Sequence, residues 1–511
     1  MTHDHDIQSE VVDFLSSPAS WGGGCQRVER LETHISHVFL CGDLALKMKK
    51  AVRLPYLDFS TLDARRRFCQ RELDINRRFS PLLYLGISRV TRGGSGELAL
   101  DGAGEVVEWL VRMRRFSRDD ILASIADAGG KLDDELLREL AKVVADSHAA
   151  ALVNREMGGL ASIGQTLEEL RESRLSEGGL PARLEEMTGE RAGLLEERAR
   201  AGYVRRCHGD LHLGNIVLVG ARPMLFDALE FSERLATVDI LHDLAFLLMD
   251  LVHRGHRRAA NRVLNWWLQF IGEAENFSGL GLTGLFCACR AAIRAMVTLD
   301  LAGQKQGRER REKQQAARAF VDTANACAAA VTGHVIAVGG LSGSGKTTLA
   351  AALAPYLAPG PGAAHVRSDV ERKMMAGVDE FTRLGPEHYT QEASDAVYRR
   401  IIDKARRAAR SGWPVIVDAV FLKDRERAAI EEAAREAGAR FTGLWLEAPA
   451  EVLKKRAARR LRDASDATPE VVEMQLAQAP GEAEGWLKVP AAGTAEETKE
   501  AAARLMGLEL G

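Results

Sequence analysis

Gly340-Leu341-Ser342-Gly343-Ser344-Gly345-Lys346-Thr347-Thr348 decides how this chain of 511 residues is read. A short apolar run, 335–338, precedes it, and an alanine-rich segment of helical composition, 348–357, follows. Strand, glycine loop and helix in that order make a phosphate cradle. Glycines let backbone N–H groups close around a polyphosphate, and the helix N-terminus adds its dipole. In such a cradle Lys346 sets a positive charge between the outer phosphates, and Thr347 offers a hydroxyl to Mg2+. Gly340, Ser342, Gly343, Ser344, Gly345 and Thr348 complete the enclosure. The chain from about residue 333 onward is expected to bind a nucleoside triphosphate.

Beyond the loop the pattern alternates. Strands are expected at 364–367, 414–420, 441–447 and 486–489, with helices between them such as 392–410, which implies a parallel, doubly wound sheet. Ligands of open α/β sheets bind at the carboxyl ends of the strands, so Asp369 and Asp418, each at such an end, should face the phosphates. Asp369 could equally be the N-cap of the helix that follows it. Arg456, Arg459, Arg460 and Arg462 form a basic cluster suited to closing over a triphosphate, and a solvated charged face explains them as well. This half resembles the small P-loop kinases related to polynucleotide kinase, gluconate kinase and the zeta-toxin group. The resemblance implies that Asp369 orients or deprotonates an acceptor hydroxyl and that Arg372 helps to hold the acceptor. It also implies that Arg456 and Arg460 touch nucleotide from a lid, while Asp418 stands where a Walker B acid would position Mg2+.

The first half reads differently. Short strands and one helix, 62–79, occupy 27–110; His37 to Lys49 looks like a hairpin turning at Gly42-Asp43, with Lys47 and Lys49 on one face of its second strand. Long helical patterns begin after Phe116, and Cys207-His208-Gly209-Asp210-Leu211-His212-Leu213-Gly214-Asn215 interrupts them with a loop running into a strand. Asp227 ends the next strand. Two carboxylates and an amide so spaced suit phosphoryl transfer, one acid taking the acceptor's proton while the amide and the other acid hold Mg2+.

Over 28–331 the sequence resembles the aminoglycoside phosphotransferase family, relatives of the protein kinases. Its core is His208-Gly-Asp-Leu-His-Leu-Gly-Asn215 with Phe226-Asp227. The resemblance implies Asp210 as the catalytic base, Asn215 and Asp227 as magnesium ligands, and Lys47 as the lysine that reaches the phosphates. Glu72 would be the ion-pair partner of that lysine, residues 108–113 a hinge meeting adenine, and Asp243 a structural aspartate. Lys49 shares the face of Lys47, so the residues alone leave open which of the two is the phosphate lysine. Unlike a protein kinase, the chain carries no glycine-rich loop between Glu32 and Cys41.

The acceptor is constrained mainly by charge. After Asp243 the helices are rich in arginine and poor in acids, which suits a neutral or anionic small molecule better than a cationic one. Arg290 and Arg294, one helical turn apart, are the best candidates for gripping it. A net charge of -3 does not favour a polynucleotide or tRNA acceptor. The overall expectation is an α/β and α+β multidomain chain: a small nucleotide-binding lobe at 1–116 and a helical lobe at 117–332, together a kinase-like bilobal fold, then a P-loop kinase domain at 333–511. Two fused ATP-dependent phosphotransferases follow from it, or one active module with a silent ATP-binding regulator. Seven cysteines, odd in number and with no C-x-x-C pair, predict neither a disulfide framework nor a structural zinc site. The absence of a signal peptide and of a long unbroken apolar run predicts a cytoplasmic protein with no membrane partner.

Overall fold

The hairpin around Gly42 forms as the sequence indicates, with Ser36–Cys41 antiparallel to Leu44–Lys49. The structure is a computed structural model and describes residues 2–22, 25–54, 57–175, 178–459, 464–478 and 483–510. Strands beginning at 29, 36, 44, 105, 84 and 98 lie side by side in that order in a six-stranded sheet. Period-two alternation gives the sheet two apolar faces. One carries Phe39, Leu46, Met48, Val90 and Leu110 against Val11, Val12 and Leu15 of the helix Thr2–Ser16. The other carries Leu40, Ala45, Val111 and Met113 against Cys69 and Leu73 of the helix Leu62–Phe79. Each such buried aliphatic side chain contributes about 1.5–3 kcal/mol.

The helix Leu62–Phe79 starts where Thr61 caps it, its side chain accepting from the Ala64 N–H. Its buried stripe is unusual, because Arg65, Glu72 and Asn76 share it with Cys69 and Leu73. Polar groups are buried at that density only when they are paired. Arg65 meets the Glu108 carboxylate at 2.8 Å, and the Gln8 side chain reaches the same carboxylate at 2.7 Å.

Two expectations need correction here. Residues 108–113 lie within the strand Glu105–Arg114, which pairs with Leu44–Lys49 on one side and Tyr84–Arg92 on the other. Their backbone groups are spent on the sheet, so the strand is no hinge. Cys25 and Cys41 are joined by a disulfide, their Cα atoms 5.7 Å apart, although no sequence spacing announced it. The segment Glu275–Gly303, 29 residues, is long and apolar enough to cross a membrane, yet 72% of its most apolar window is buried inside the protein, as a core helix would be.

The later strands form a five-stranded, all-parallel sheet in the order of first residues 364, 415, 334, 440 and 487. Val335, Ile336, Ala337 and Val338 are fully buried, as a central strand covered on both faces requires. The chain separates into two compact units, Met1–Gln165 with Glu196–Leu247, and Thr166–Leu195 with Leu248–Gly511. The compact units therefore do not divide at residue 333. The helices Arg257–Ile271, Thr283–Gly303 and Gly307–Cys327 belong to the unit that holds the parallel sheet.

Candidate active sites

In the first unit, strand geometry puts Lys47 and Lys49 on one face, and both reach Glu72 on the buried stripe of the helix. Lys47 Nζ lies 2.8 Å from one Glu72 oxygen and Lys49 Nζ 2.7 Å from the other. The two lysines then diverge. Lys47 goes on to Asp227 Oδ1 at 2.5 Å, whereas Lys49, fully buried, pairs with Glu230. Burial alone would raise the Glu72 carboxyl, but the two ammonium groups outweigh it and hold the carboxyl at about 2. Burial works against the charge on Lys47 too, and the Asp227 and Glu72 carboxylates overcome it, so its pKa is well above the ordinary value. Glu230 is pushed up, first by burial.

Asp227 sits in the left-handed backbone region, φ 60°, which a non-glycine residue enters at a cost. Its surroundings hold it there. The Asp227 N–H donates to the Tyr84 hydroxyl at 3.0 Å, the Ala228 N–H donates to Asn76 Oδ1 at 2.8 Å, and Ser80 Oγ donates to the Leu225 carbonyl at 2.6 Å. The helix that supplies Glu72 thus also fixes the strand end that carries Asp227.

The loop before it is anchored by Asp243, which accepts the Gly209 N–H at 2.8 Å and the His208 N–H at 3.3 Å while His148 Nε2 lies 3.1 Å away. That is the structural part expected of Asp243. Asn215 Nδ2 donates to both the carbonyl and the carboxylate of Asp210, at 2.9 and 2.8 Å. Its amide nitrogen is committed, which leaves Oδ1 as the atom that could ligate a cation. Asp210 and Asp227 expose 39% and 44% of their side chains, so both carboxylates are reachable.

In the second unit, Gly340, Gly343 and Gly345 take φ of 138°, 87° and 93°. A Cβ on Gly343 would lie 2.4 Å from the Leu453 carbonyl oxygen, so only glycine fits there. Lys346 Nζ donates to the Leu341 carbonyl at 3.1 Å, and Thr347 Oγ1 donates to Asp418 Oδ1 at 3.3 Å. Ser344 Oγ is buried with no hydrogen-bond partner among the described residues. A phosphate oxygen would satisfy that orphaned hydroxyl, and the fit supports a polyphosphate in the loop. Asp369 is pushed up by burial and by the neighbouring Asp418 carboxylate, against the pull of Lys346 and Arg367. Arg372 donates to the His388 carbonyl at 2.5 Å and lies over the Tyr389 ring. Arg456 donates to the carbonyls of Ala491 and Gly493, and lines a cavity of about 190 Å³ with Ser344, Gly345, Thr348, Thr494 and Thr498. Arg460 lies outside the described residues.

The sequence model of the phosphotransferase enzyme family matches residues 69–277, and that of an AAA domain matches 335–481. The uncharacterized protein Rv2004c of Mycobacterium tuberculosis is 30% identical over 457 residues, covering 86% of this chain and 88% of that one. The chain belongs to the same family as that mycobacterial protein. Its members' shared length spans both modules, and this member is an ATP-dependent kinase with a kinase-like fold followed by a P-loop kinase fold. Over 125 residues, 24% of this chain and 63% of the other, it is 33% identical to the adenylyl-sulfate kinase of Myxococcus xanthus. Among solved structures, a choline/ethanolamine kinase family protein from Mesorhizobium loti aligns with a TM-score of 0.38 at 15% identity, covering 63% of this chain and 99% of that one.

The two matched stretches enclose Glu72, Asp210, Asn215 and Asp227 on one side and the loop, Asp369, Arg372, Asp418 and Arg456 on the other. Arg290 and Arg294 lie between them. Arg290 is buried, and the half-exposed Arg294 places its guanidinium over the Phe320 ring. Several residues of this family member escaped sequence reading. Asn76 and Glu230 are polar groups on otherwise apolar surfaces, and the i, i+3, i+4, i+7 spacing from Cys69 through Glu72 and Leu73 to Asn76 could have singled out the former. Tyr84 and His365 carry no sequence signal that would have marked them.

Proposed function

We propose that this kinase is bifunctional, each module transferring the γ-phosphoryl group of ATP to a hydroxyl of a neutral or anionic small molecule. The observation that carries the reading is Lys47 bridging Glu72 and Asp227 beside the Asn215-held Asp210. In that module Asp210 Oδ2 takes the proton of the acceptor hydroxyl, held at the right orientation by the Asn215 amide. Lys47, fixed by Glu72, meets the phosphates as Asp227 is released from it. Asn215 Oδ1 and Asp227 would hold Mg2+, and Thr347 with Asp418 would do so in the other module. Bound there, the cation neutralises charge that builds on the transferring group. Adenine would meet the chain where it leaves the strand at Arg114, since the strand itself is fully paired.

In the P-loop module Asp369, whose carboxyl burial and the Asp418 carboxylate push up, would take the proton of the acceptor hydroxyl. Arg372 flanks it, and the similarity to adenylyl-sulfate kinase supports an anionic acceptor there. The reading carries a cytoplasmic location; the Cys25–Cys41 pair is the feature at odds with a reducing compartment. The test is to incubate the chain with Mg-ATP and a protein-free metabolite extract, beside Asp210→Ala and Lys346→Ala variants, and to look by mass spectrometry for metabolites that gain a phosphate. Two products, each lost in one variant, are expected. If ATP is hydrolysed and no metabolite gains phosphate, the small-molecule reading falls and a nucleic-acid acceptor takes its place.

A further inference from the structure

Ala364–Arg367 is the edge strand of the parallel sheet, and an edge leaves a row of backbone groups without strand partners. The helix Arg257–Ile271 closes that edge with two asparagines. Asn261 Nδ2 donates to the carbonyls of Pro361 and Ala363 at 2.8 and 2.9 Å, and Asn265 Oδ1 accepts the His365 N–H at 2.6 Å. The His365 side chain then turns inward across the neighbouring strand. Its Nε2 lies 2.7 Å from Asp418 Oδ2, and since a carboxylate only accepts, the imidazole donates. The other Asp418 oxygen receives the Thr347 hydroxyl.

We propose that His365 is the positioning residue for Asp418, and that Asn265, from a helix inside the stretch matched by the phosphotransferase model, sets His365 in place. One oxygen of Asp418 is fixed by the imidazole, which turns the other toward Thr347 and the loop. Nothing else among the described residues holds that carboxylate as closely, the nearest guanidinium, Arg367 Nε, being 3.9 Å away. A carboxylate that swings freely would still carry its charge but would meet Mg2+ in several orientations. The P-loop site therefore draws, through the edge strand, on a helix of the same compact unit that begins 89 positions before Lys346.

The experiment uses the full chain in an Asp227→Asn background, so that magnesium dependence reads the P-loop site, and follows nucleotide binding by calorimetry with and without Mg2+. Loss of a hydrogen-bonding partner of a ligating group costs on the order of 10–100-fold in metal affinity. His365→Ala is expected to raise the half-saturating Mg2+ concentration about 10-fold while nucleotide affinity without Mg2+ stays within about 2-fold. His365→Gln, whose Nε2 can donate to the same carboxylate, should restore most of the loss, and Asn265→Ala should reproduce part of it. In turnover, KM for Mg-ATP should rise more than kcat falls. If His365→Ala leaves the magnesium requirement of a responsive parent unchanged, or weakens metal-free binding equally, the positioning role is overturned and His365 is only a packing residue. A parent that shows no magnesium-stimulated binding overturns this inference together with the nucleotide reading of the loop.

Discussion

Around Asp227, positive charge comes from Lys47, a side chain 180 residues earlier in the sequence; around Gly343, one unbroken run supplies backbone N–H groups together with Lys346. The first site has to bury its charges and then neutralise them. Lys47 and Lys49 share Glu72, and Lys49 needs Glu230 as well, so three buried ions surround the one lysine that faces the catalytic carboxylates. The second site imports fixed dipoles, which bring no net charge into the interior. Among its ionic side chains, Lys346, Asp369 and Asp418, the last is hydrogen-bonded on both oxygens, to Thr347 and His365. Two solutions to one electrostatic problem thus differ in what breaks them: the first through its ion pairs, the second through its backbone.

The sharpest test of that contrast is turnover. Asp210→Ala removes a proton acceptor and should slow one phosphoryl transfer by about 10²–10⁴-fold without moving the other. Lys346→Ala should do the reverse, read as the second product in the same mass spectra. If either variant abolishes both transfers, the sites do not operate as separate chemistries. Next in size is Lys49→Met, which strands Glu230 and half of Glu72 in the interior. Breaking a buried pair costs about 3–5 kcal/mol, and the Lys49→Met/Glu230→Gln double variant should recover much of it. Urea unfolding followed by hydrogen exchange in the helix Leu62–Phe79 measures this. A Lys49→Met protein as stable as the parent would mean that the network is solvated.

The same contrast explains what the sequence made legible. The P-loop is contiguous, so its strand, loop and helix, its parallel sheet and its acid at the end of 414–418 could be read from local pattern. Asp210, Asn215 and Asp227 lie close enough in sequence for their chemistry to join them, whereas Lys47 and Glu72 are distant, and only family resemblance added them. Resemblance left Lys47 and Lys49 unresolved, because period two puts both on one face; the partner each finds, Asp227 or Glu230, is a tertiary fact. The supposed hinge failed for a related reason, since a strand in the middle of a sheet and a strand before a hinge have the same local sequence. Arg290 and Arg294 were read from charge counted along a helix, which does not tell that Arg290 is buried and Arg294 half-exposed. His365 was invisible, its role depending on a helix about 100 residues away.

A pH series separates the two sites more gently. Glu72 has a folded value of about 2 against an ordinary 4.5, a depressed acid. Its contribution to stability is complete above the unfolded value and drains away as the pH falls from 4.5 toward 2. Glu230, raised in the folded state, works in the opposite direction and blunts the slope. Protection against hydrogen exchange in the helix Leu62–Phe79, taken relative to the intrinsic rate at each pH, should fall between pH 5 and pH 3, and a Glu72→Gln variant should show a shallower fall. Equal slopes in the two proteins would mean that the lysines do not stabilise the ionised Glu72.

The finest comparison sets one glycine of each unit side by side. Gly42, at the hairpin turn, and Gly345, at the start of the helix Lys346–Leu353, both have positive φ, 53° and 93°, and an added Cβ would meet nothing within 4 Å at either. Alanine should therefore cost each unit a similar amount, about 1–2 kcal/mol, purely from the left-handed backbone. The consequences for ligand should differ. Relaxing Gly345 toward an ordinary helical conformation turns its N–H away from the phosphates, so Gly345→Ala should weaken nucleotide binding in calorimetry as well as lower the melting temperature. Gly42→Ala should lower the melting temperature alone, because a site built from side-chain ions does not use the N–H groups of that turn. Should Gly42→Ala weaken nucleotide binding as strongly, the Gly42-Asp43 turn would be closing over the phosphates in place of the missing glycine-rich loop, and the first site too would lean on its backbone.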